Sequence, residues 1–293
     1  MLELRYFQRD ALDSVYKYLA TNNGNPLIVC PTGTGKAYII AKFIEEITRE
    51  WPSTRILCAV ATRELVLQNY SEFINLSPFA PAGIFSAGLN RRDSDAQILF
   101  CGIQSIYRRA YDIQRCDILL IDEAHTISQK GSGMWHQFIT EITKINHDVR
   151  IVGLTATDYR LDSGLLTTGE NKIFDDVCYE YNLLQAIKDG YLCPIIPASM
   201  ATRFDLSGVG TRMGEWKQDE LESAINIDSI TRKAIDEIEA YGQDRKSWLI
   251  FACGNKHAEA IHLELKRRGY KRGWVYKMAA IKGIKDDTRG NFA

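Results

Sequence analysis

The chain is 293 residues long, 45% apolar and 25% charged, with a formal net charge of −1 at pH 7. This balance excludes a disordered or fibrous chain and, at roughly 100–200 residues per domain, predicts about two domains. No apolar run approaches the roughly 18 residues of a membrane span, and the start MLELRYFQRD is charged from Glu3 onward, unlike a secretory signal. A soluble, cytoplasmic protein without a membrane partner is therefore expected. A uniformly basic surface is excluded too, so any contact with nucleic acid has to come from a local patch. The seven cysteines (Cys30, Cys58, Cys101, Cys116, Cys178, Cys193 and Cys253) are dispersed without a C-x-x-C pair, which argues against zinc. Most lie in apolar runs such as LIVC and ILFC and read as reduced core residues.

In chain order, Leu12, Val15, Tyr16 and Leu19 fall at i, i+3, i+4 and i+7, one stripe of a helix. Asn22-Asn23-Gly24-Asn25-Pro26 breaks it, and Leu27–Cys30 reads as a buried strand. A helix over Ala37–Arg49 stops near Pro52. Arg55–Val60 is the next strand, then a helix through Glu64–Ile74. Further strands are expected at Ile84–Ser86, Gln97–Cys101, Asp117–Ile121 and Arg150–Leu154, with a helical pattern at Trp135–Ile145 before the last. Continuous apolar strands alternating with helices predict an α/β fold, a parallel sheet with helices on both faces. Ligands of such sheets bind at the carboxyl ends of the strands. After about Ala186 the pattern changes: Gly190–Pro194 and Pro197 suggest a crossing between domains, placed at 1–190 and 191–293. Ser207–Gly214 reads as a loop, Asp219–Ile225 and Ser229–Ala240 as helices, and Ser247–Ala252 (SWLIFA) with Ala258–Arg268 as a further strand–helix unit.

The strand LIVC runs into Pro31-Thr32-Gly33-Thr34-Gly35-Lys36, with a helix behind it. Backbone N–H groups wrap phosphates only where side chains leave room, hence Gly33 and Gly35. The helix N-terminus adds positive charge, and the Lys36 ammonium reaches the terminal phosphates. Thr32 and Thr34 belong to the same loop. Cys30 stands where this pattern has a small first residue, and Ala37 where it carries a hydroxyl for Mg²⁺. Removing one ligand weakens an octahedral ion's site without abolishing it. A second apolar strand, Ile118–Ile121, ends in Asp122-Glu123-Ala124-His125. Two carboxylates at the mouth of the same sheet fit a Mg²⁺ ligand, Asp122, and a group that orients or deprotonates the attacking water, Glu123. The expected cofactors are a nucleotide, which the resemblance described next implies to be ATP, and Mg²⁺.

Together, Thr32–Lys36, Asp122-Glu123-Ala124-His125 and Thr155-Ala156-Thr157 resemble motifs I, II and III of superfamily 2 helicases of the DEAH type. Arg5-Tyr6-Phe7-Gln8 resembles the Q motif, which implies that Gln8 reads the adenine edge. Ala61-Thr62-Arg63-Glu64-Leu65 resembles motif Ia and Gly102-Ile103-Gln104-Ser105 the Ib region, which implies nucleic-acid backbone contacts at Thr62, Arg63, Gln104 and Ser105. Thr155 and Thr157 are implied to couple the ATP state to grip on nucleic acid. Phe85–Leu89, Thr143–Asn146, Gly153–Thr157 and Asp189–Leu192 are similar to the RadD-type DNA-repair helicases, a resemblance over roughly residues 1–265. It implies two RecA-like domains clamping ATP, with DNA favoured as the nucleic acid. Where the family carries proline after motif III, this chain has Asp158.

Ser247–Ala252 resembles motif IV, the first strand of a second RecA-like domain. No Gln-x-x-Gly-Arg-x-x-Arg run follows, and Arg289 is a poor substitute for the arginine finger such a run supplies. That finger is worth on the order of 10³–10⁵ in rate. The family's C-terminal zinc-binding cysteines are also missing. The expectation is a complete first motor domain and an incomplete second, through truncation, degeneration or completion in trans by a protein partner. The main reading is an ATP-dependent DNA helicase or translocase in DNA repair or replication. The alternatives are a catalytically weak ATP- and nucleic-acid-binding module and the motor part of a restriction enzyme. The run Lys266–Trp274 interleaves cations with aromatics, read either as a phosphate grip or as the cationic last turn of a helix. Arg91-Arg92 reads as a solvated loop.

Overall fold

The computed structural model describes residues 3–128, 131–160, 164–194, 204–212, 215–245 and 248–270. The chain divides into two compact units, Met1–Pro194 and Ile195–Ala293. Among the described residues no helix is long and apolar enough to cross a membrane.

The first unit is built on eight strands: β1 (Pro26–Val29), β2 (Ile56–Val60), β3 (Ala82–Ser86), β4 (Arg91–Arg92), β5 (Ile98–Gly102), β6 (Ile118–Asp122), β7 (Arg150–Thr155) and β10 (Asp176–Glu180). They form one sheet in the order β10-β1-β7-β6-β2-β5-β3-β4, parallel throughout except for β4 against β3. Arg91-Arg92 is thus a short edge strand rather than a loop, and its two side chains are exposed. A small antiparallel pair, β8 (Tyr159–Arg160) and β9 (Gly164–Leu165), follows β7. Asp158 opens it, its carbonyl accepting from Leu166 N at 2.8 Å.

Strands buried on both faces send alternate residues into different cores. In β2, Ile56, Cys58 and Val60 join one cluster while Leu57 and Ala59 join the other. The first cluster is closed by α1 (Tyr6–Thr21), α2 (Lys36–Glu50) and α3 (Arg63–Leu76), through Phe7, Leu12, Ile40, Phe43 and Phe73. The second is closed by α4 (Ile103–Ile106), α5 (Ala110–Ile113) and α6 (Met134–Ile145), through Ile106, Ile113, Phe138 and Ile142. A seventh helix, α7 (Leu183–Lys188), is capped by Asn182, whose Oδ1 accepts from Gln185 N at 2.8 Å. Of the cysteines, Cys30, Cys58, Cys101 and Cys116 are buried as core residues, whereas Cys193 is exposed.

The second unit pairs β11 (Thr211–Arg212), inside the stretch expected to be a loop, with β12 (Glu215–Trp216) just after it, and adds α8 (Gln218–Ile225), α9 (Asp228–Gly242) and α10 (Asn255–Arg267). The strand expected at Ser247–Ala252 is not formed among the described residues: Ser247 lies outside them, and Trp248–Ala252 pairs with no described strand. A β-segment needs neighbours for its N–H and C=O groups, and β11–β12 is the only pair described in this unit. Trp248 instead donates from Nε1 to Gly242 O at 3.1 Å, leaving Leu249 and Phe251 82% and 87% exposed. In the basic run, Arg268 is engaged within the unit, its Nη1 2.6 Å from both Asp236 and Glu239, and Arg267 pairs with Glu264. That supports the last-turn reading for these two cations. Lys271–Trp274 and Arg289 lie outside the described residues.

Two features generate predictions. Gly153, in the middle of β7, has no room for a Cβ: one there would stand 2.4 Å from the Phe174 ring and 2.8 Å from Leu27 Cδ1. Gly153→Ala should therefore destabilise the first unit by about 1–3 kcal/mol through overpacking; chemical denaturation showing no loss would refute this packing. Between α1 and α2, Glu46 accepts from Arg9 at 2.8 and 3.1 Å and from the Tyr16 hydroxyl at 2.9 Å. Burial pushes its carboxyl up, but the Arg9 and Tyr16 hydrogen bonds prevail and hold it below its ordinary 4.5. A depressed carboxyl stabilises the fold fully above its unfolded value and loses that contribution as pH falls through the folded one. Glu46→Gln should thus be less stable than wild type at about pH 7 and approach it at about pH 3. An equal gap at both pH values would count against this assignment.

Candidate nucleotide and nucleic-acid site

Because β1, β2, β3, β5, β6 and β7 are parallel, all their carboxyl ends lie along one edge of the sheet. The sheet order sorts the sequence candidates along that edge. The phosphate loop follows β1, Thr155 and Thr157 end β7, and Asp122 and Glu123 end β6. These three strands are consecutive in the sheet. Thr62 and Arg63 follow β2, Gln104 and Ser105 follow β5, and Ala87–Leu89 follows β3, which makes the next three.

The loop is shaped by two left-handed residues, Gly33 (φ 87°) and Gly35 (φ 84°), a conformation glycine adopts without steric cost. No side chain caps α2, so its first N–H groups are left for a ligand. Thr34 Oγ1 folds back on Pro31 O at 2.6 Å, and Cys30 N donates to Thr155 O at 2.9 Å, tying the loop's base to β7. Gln8, expected at an adenine edge, braces the loop in this structure. Its Oε1 accepts from Arg5 N and its Nε2 donates to Thr34 O, both at 3.0 Å. Arg5 lies over the Tyr191 ring, 4.5 Å from its centre.

The segment around Asp189 shows its purpose here. Asp189 accepts from the hydroxyls of Tyr6 and Tyr181, and Phe7 stacks on Tyr181 at 4.1 Å and meets Tyr191 at 5.1 Å. Leu192 reaches to 3.1 Å of where a Gly33 Cβ would be. The start of α1 and the end of the unit thus enclose the loop from one side.

Lys36 is buried; its Nζ lies 3.4 Å from Cys30 O and 3.6 Å from Glu123 Oε1. Asp122, 4% exposed, accepts from Glu123 N at 3.0 Å through Oδ1 and from Asn69 Nδ2 at 2.9 Å through Oδ2. Burial pushes its carboxyl above the ordinary value, with the Asn69 hydrogen bond pulling the other way. Glu123 sits in the left-handed region (φ 53°), which turns the chain as the strand ends. Its Oε2 is 3.3 Å from His125 Nδ1, which is also 3.1 Å from Thr155 Oγ1. The Thr155 hydroxyl donates to Thr157 O at 2.8 Å, so toward His125 it acts as acceptor. The hydrogen bond of Nδ1 therefore goes to Thr155, with Nδ1 as donor, while Glu123 Oε2 is buried without a hydrogen-bond partner. Ala37 offers no side-chain oxygen. A cation fits beside Asp122 nonetheless: the neighbouring Asn69 Oδ1 is buried without a hydrogen-bond partner, an orphaned acceptor next to a buried carboxylate.

On the other half of the edge, Thr62 caps α3, its Oγ1 accepting from Leu65 N at 3.4 Å. Arg63 is exposed, paired with Glu64 at 2.7 Å and packed beside Gly88. Ser105 Oγ accepts from Ala87 N at 2.9 Å, joining the ends of β5 and β3. Gln104 and Ser105 line an open cavity of about 420 Å³ with Tyr107, Arg108, Arg109 and Asp112.

Sequence reasoning did not identify Asn69, Tyr181, Asp189 or Tyr191 individually. The signal for Asn69 was available: Val66, Asn69 and Phe73 at i, i+3 and i+7 form the buried face of α3, and an amide on such a face needs a polar partner.

A parallel α/β sheet with a glycine loop after β1 and an acidic pair at the end of β6 defines a RecA-like nucleotide-binding fold. The chain belongs to the family described as type III restriction enzyme, res subunit, which it matches at residues 1–160, and it carries that family's superfamily 2 helicase domain. It is 23% identical over 282 residues to IRC3 of Saccharomyces cerevisiae, named as a candidate ATP-dependent helicase, over 93% of this chain and 40% of that protein. It is 25% identical over 214 residues to the type I restriction enzyme EcoAI endonuclease subunit of Escherichia coli, over 70% of this chain and 25% of that protein. The chain therefore spans less than half the length of these relatives. Among solved structures it is similar to the UvsW helicase from bacteriophage T4, at 20% identity and a TM-score of 0.48, over 61% of this chain and 60% of that one.

The loop geometry makes a direct prediction. An added Cβ at Gly35 would stand 2.8 Å from Gln8 Nε2 and would hold a left-handed backbone that alanine disfavours. Gly35→Ala should weaken ADP binding about tenfold or more, roughly 1.4 kcal/mol, while far-UV circular dichroism stays unchanged. Unaltered affinity by calorimetry would remove the loop from the site.

Proposed function

We propose that the chain is the ATP-hydrolysing part of a DNA translocase or helicase. The observation that carries this reading is Lys36 Nζ held 3.6 Å from Glu123 beside the buried Asp122, at the mouth of a glycine loop. The free N–H groups of the loop and of α2 bind phosphate oxygens, and Lys36 neutralises them. Asp122 would hold Mg²⁺, which when bound supplies positive charge at the phosphates. Glu123 accepts the proton of the attacking water. In the resting site that carboxylate is occupied by Lys36, and it becomes available when the ammonium turns to a phosphate. His125 Nδ1–H donates to Thr155, whose hydroxyl donates to Thr157 O, and so links the end of β6 to Thr155 and Thr157. Thr62, Arg63, Gln104 and Ser105 meet a nucleic-acid backbone on the neighbouring half of the sheet edge.

DNA is favoured as the nucleic acid because the res-subunit family and the EcoAI subunit carry names from restriction of DNA. A repair role follows the resemblance to RadD-type helicases, and a protein partner completing the motor in trans belongs to the same reading. The name of the family supports a second reading, the motor of a restriction assembly.

The test is ATP turnover in Mg²⁺ with and without single-stranded and duplex DNA, beside Lys36→Ala and Glu123→Gln. Turnover that rises with DNA and falls by about 10² or more in each variant is expected, the scale at which a positioned proton acceptor contributes. ATP binding without turnover would leave a binding module. No ATP binding would defeat the site assignment.

A further inference from the structure

The ATP half and the nucleic-acid half of the strand edge meet between β6 and β2. Within that seam a polar side chain crosses from one half to the other. Asn69 lies on α3, the helix that begins at Thr62 and Arg63 and follows β2, yet its Nδ2 donates at 2.9 Å to Oδ2 of Asp122 at the end of β6. It is 1% exposed. Burying an amide costs free energy unless its groups are hydrogen-bonded, and here only half of the cost is offset, because Oδ1 has no partner. Asparagine on the apolar stripe of α3 is a poor choice for packing alone; an apolar residue of similar volume would fill the same space without a stranded oxygen.

Resting on the functional reading above, we infer that Asn69 is a positioning residue for Asp122. Its amide fixes the rotamer of the carboxylate and takes up Oδ2, so that the remaining lone pairs face the loop. Its free Oδ1 stands as an acceptor for a water of the hydrated cation. Carboxylates that bind cations are commonly oriented by such partners, and removing one typically costs 10–100-fold in metal affinity. The same hydrogen bond ties Asp122 to the helix whose first residues face nucleic acid, so α3 is a rigid part shared by both halves.

The experiment is Mn²⁺ binding to the full chain in the presence of ADP, followed by electron paramagnetic resonance, for wild type, Asn69→Leu and Asn69→Asp. Both substitutions keep the branching of the side chain at Cγ; leucine cannot donate, and aspartate sets a second carboxylate against Asp122. A tenfold or greater loss of Mn²⁺ affinity is expected in both. ADP binding in EDTA should stay at the wild-type level, since the hydrogen bonds of Asn69 run to Asp122 and Cys58 rather than to the phosphate loop, and this also verifies that each variant is folded. The Mg²⁺ concentration giving half-maximal turnover should rise while the ATP KM stays unchanged. Wild-type Mn²⁺ affinity in either variant would overturn the role of Asn69 and leave the functional reading standing. Failure of the wild-type chain to bind Mn²⁺ with ADP would overturn both.

Discussion

The site depends on parallel register. Leu27, Ile28 and Val29 pair with Gly153, Leu154 and Thr155, and Ile121 and Asp122 pair with Gly153 and Leu154. This sets the ends of β1, β7 and β6 level, so the loop after Val29, the hydroxyl of Thr155 and the carboxylates of Asp122 and Glu123 emerge together. A slip of one residue in β6 or β7 would turn Asp122 or Thr155 to the other face of the sheet, and one in β1 would displace the start of the loop. Register here is protected by burial on both faces, and by the absence of a side chain at Gly153, which lets Phe174 and Leu27 close over the centre of β7.

Most of this was legible in the sequence because it is carried by short-range chemistry. Glycines with a following lysine, and adjacent carboxylates after an apolar run, announce themselves by residue type. Both core faces could be read from strands apolar at every position. What escaped was non-local or short. The edge strand Asp176–Glu180 is only partly buried, so it lacks the continuous apolar signal that marked β2 and β6. The helices Ile103–Ile106 and Ala110–Ile113 are single turns, too short to show a period. The Asn69–Asp122 hydrogen bond joins residues 53 apart in sequence, and no local pattern announces such a pair. The segment Trp248–Ala252 failed for the opposite reason. Its composition is that of a strand, but composition expresses a preference that only neighbouring strands can satisfy.

The Q-motif residues show how a resemblance and a geometry answer different questions. The resemblance names Gln8 as a reader of adenine. The structure shows both ends of its amide engaged by backbone, Arg5 N on one side and Thr34 O on the other. These are compatible, because the amide nitrogen and oxygen each retain one further hydrogen-bonding position. A glutamine so placed links recognition of a base to the shape of the phosphate loop through one rigid group. The Arg9–Glu46 and Tyr16–Glu46 contacts hold α1 against α2 just behind it.

The pairing of Lys36 with Glu123 makes the same argument energetically. Two opposite unit charges about 4 Å apart attract by roughly 4 kcal/mol at an effective dielectric of about 20, before desolvation is deducted. A nucleotide carrying several negative charges on its last phosphates outcompetes one carboxylate for the ammonium, and the broken pair is subtracted from its affinity. In the proposed reading that loss has a use. The Lys36 ammonium 3.6 Å from Oε1 makes Glu123 a weaker base, so in this reading its basicity rises when phosphate draws the ammonium away. The resting salt bridge thus restrains the site until the substrate itself removes it.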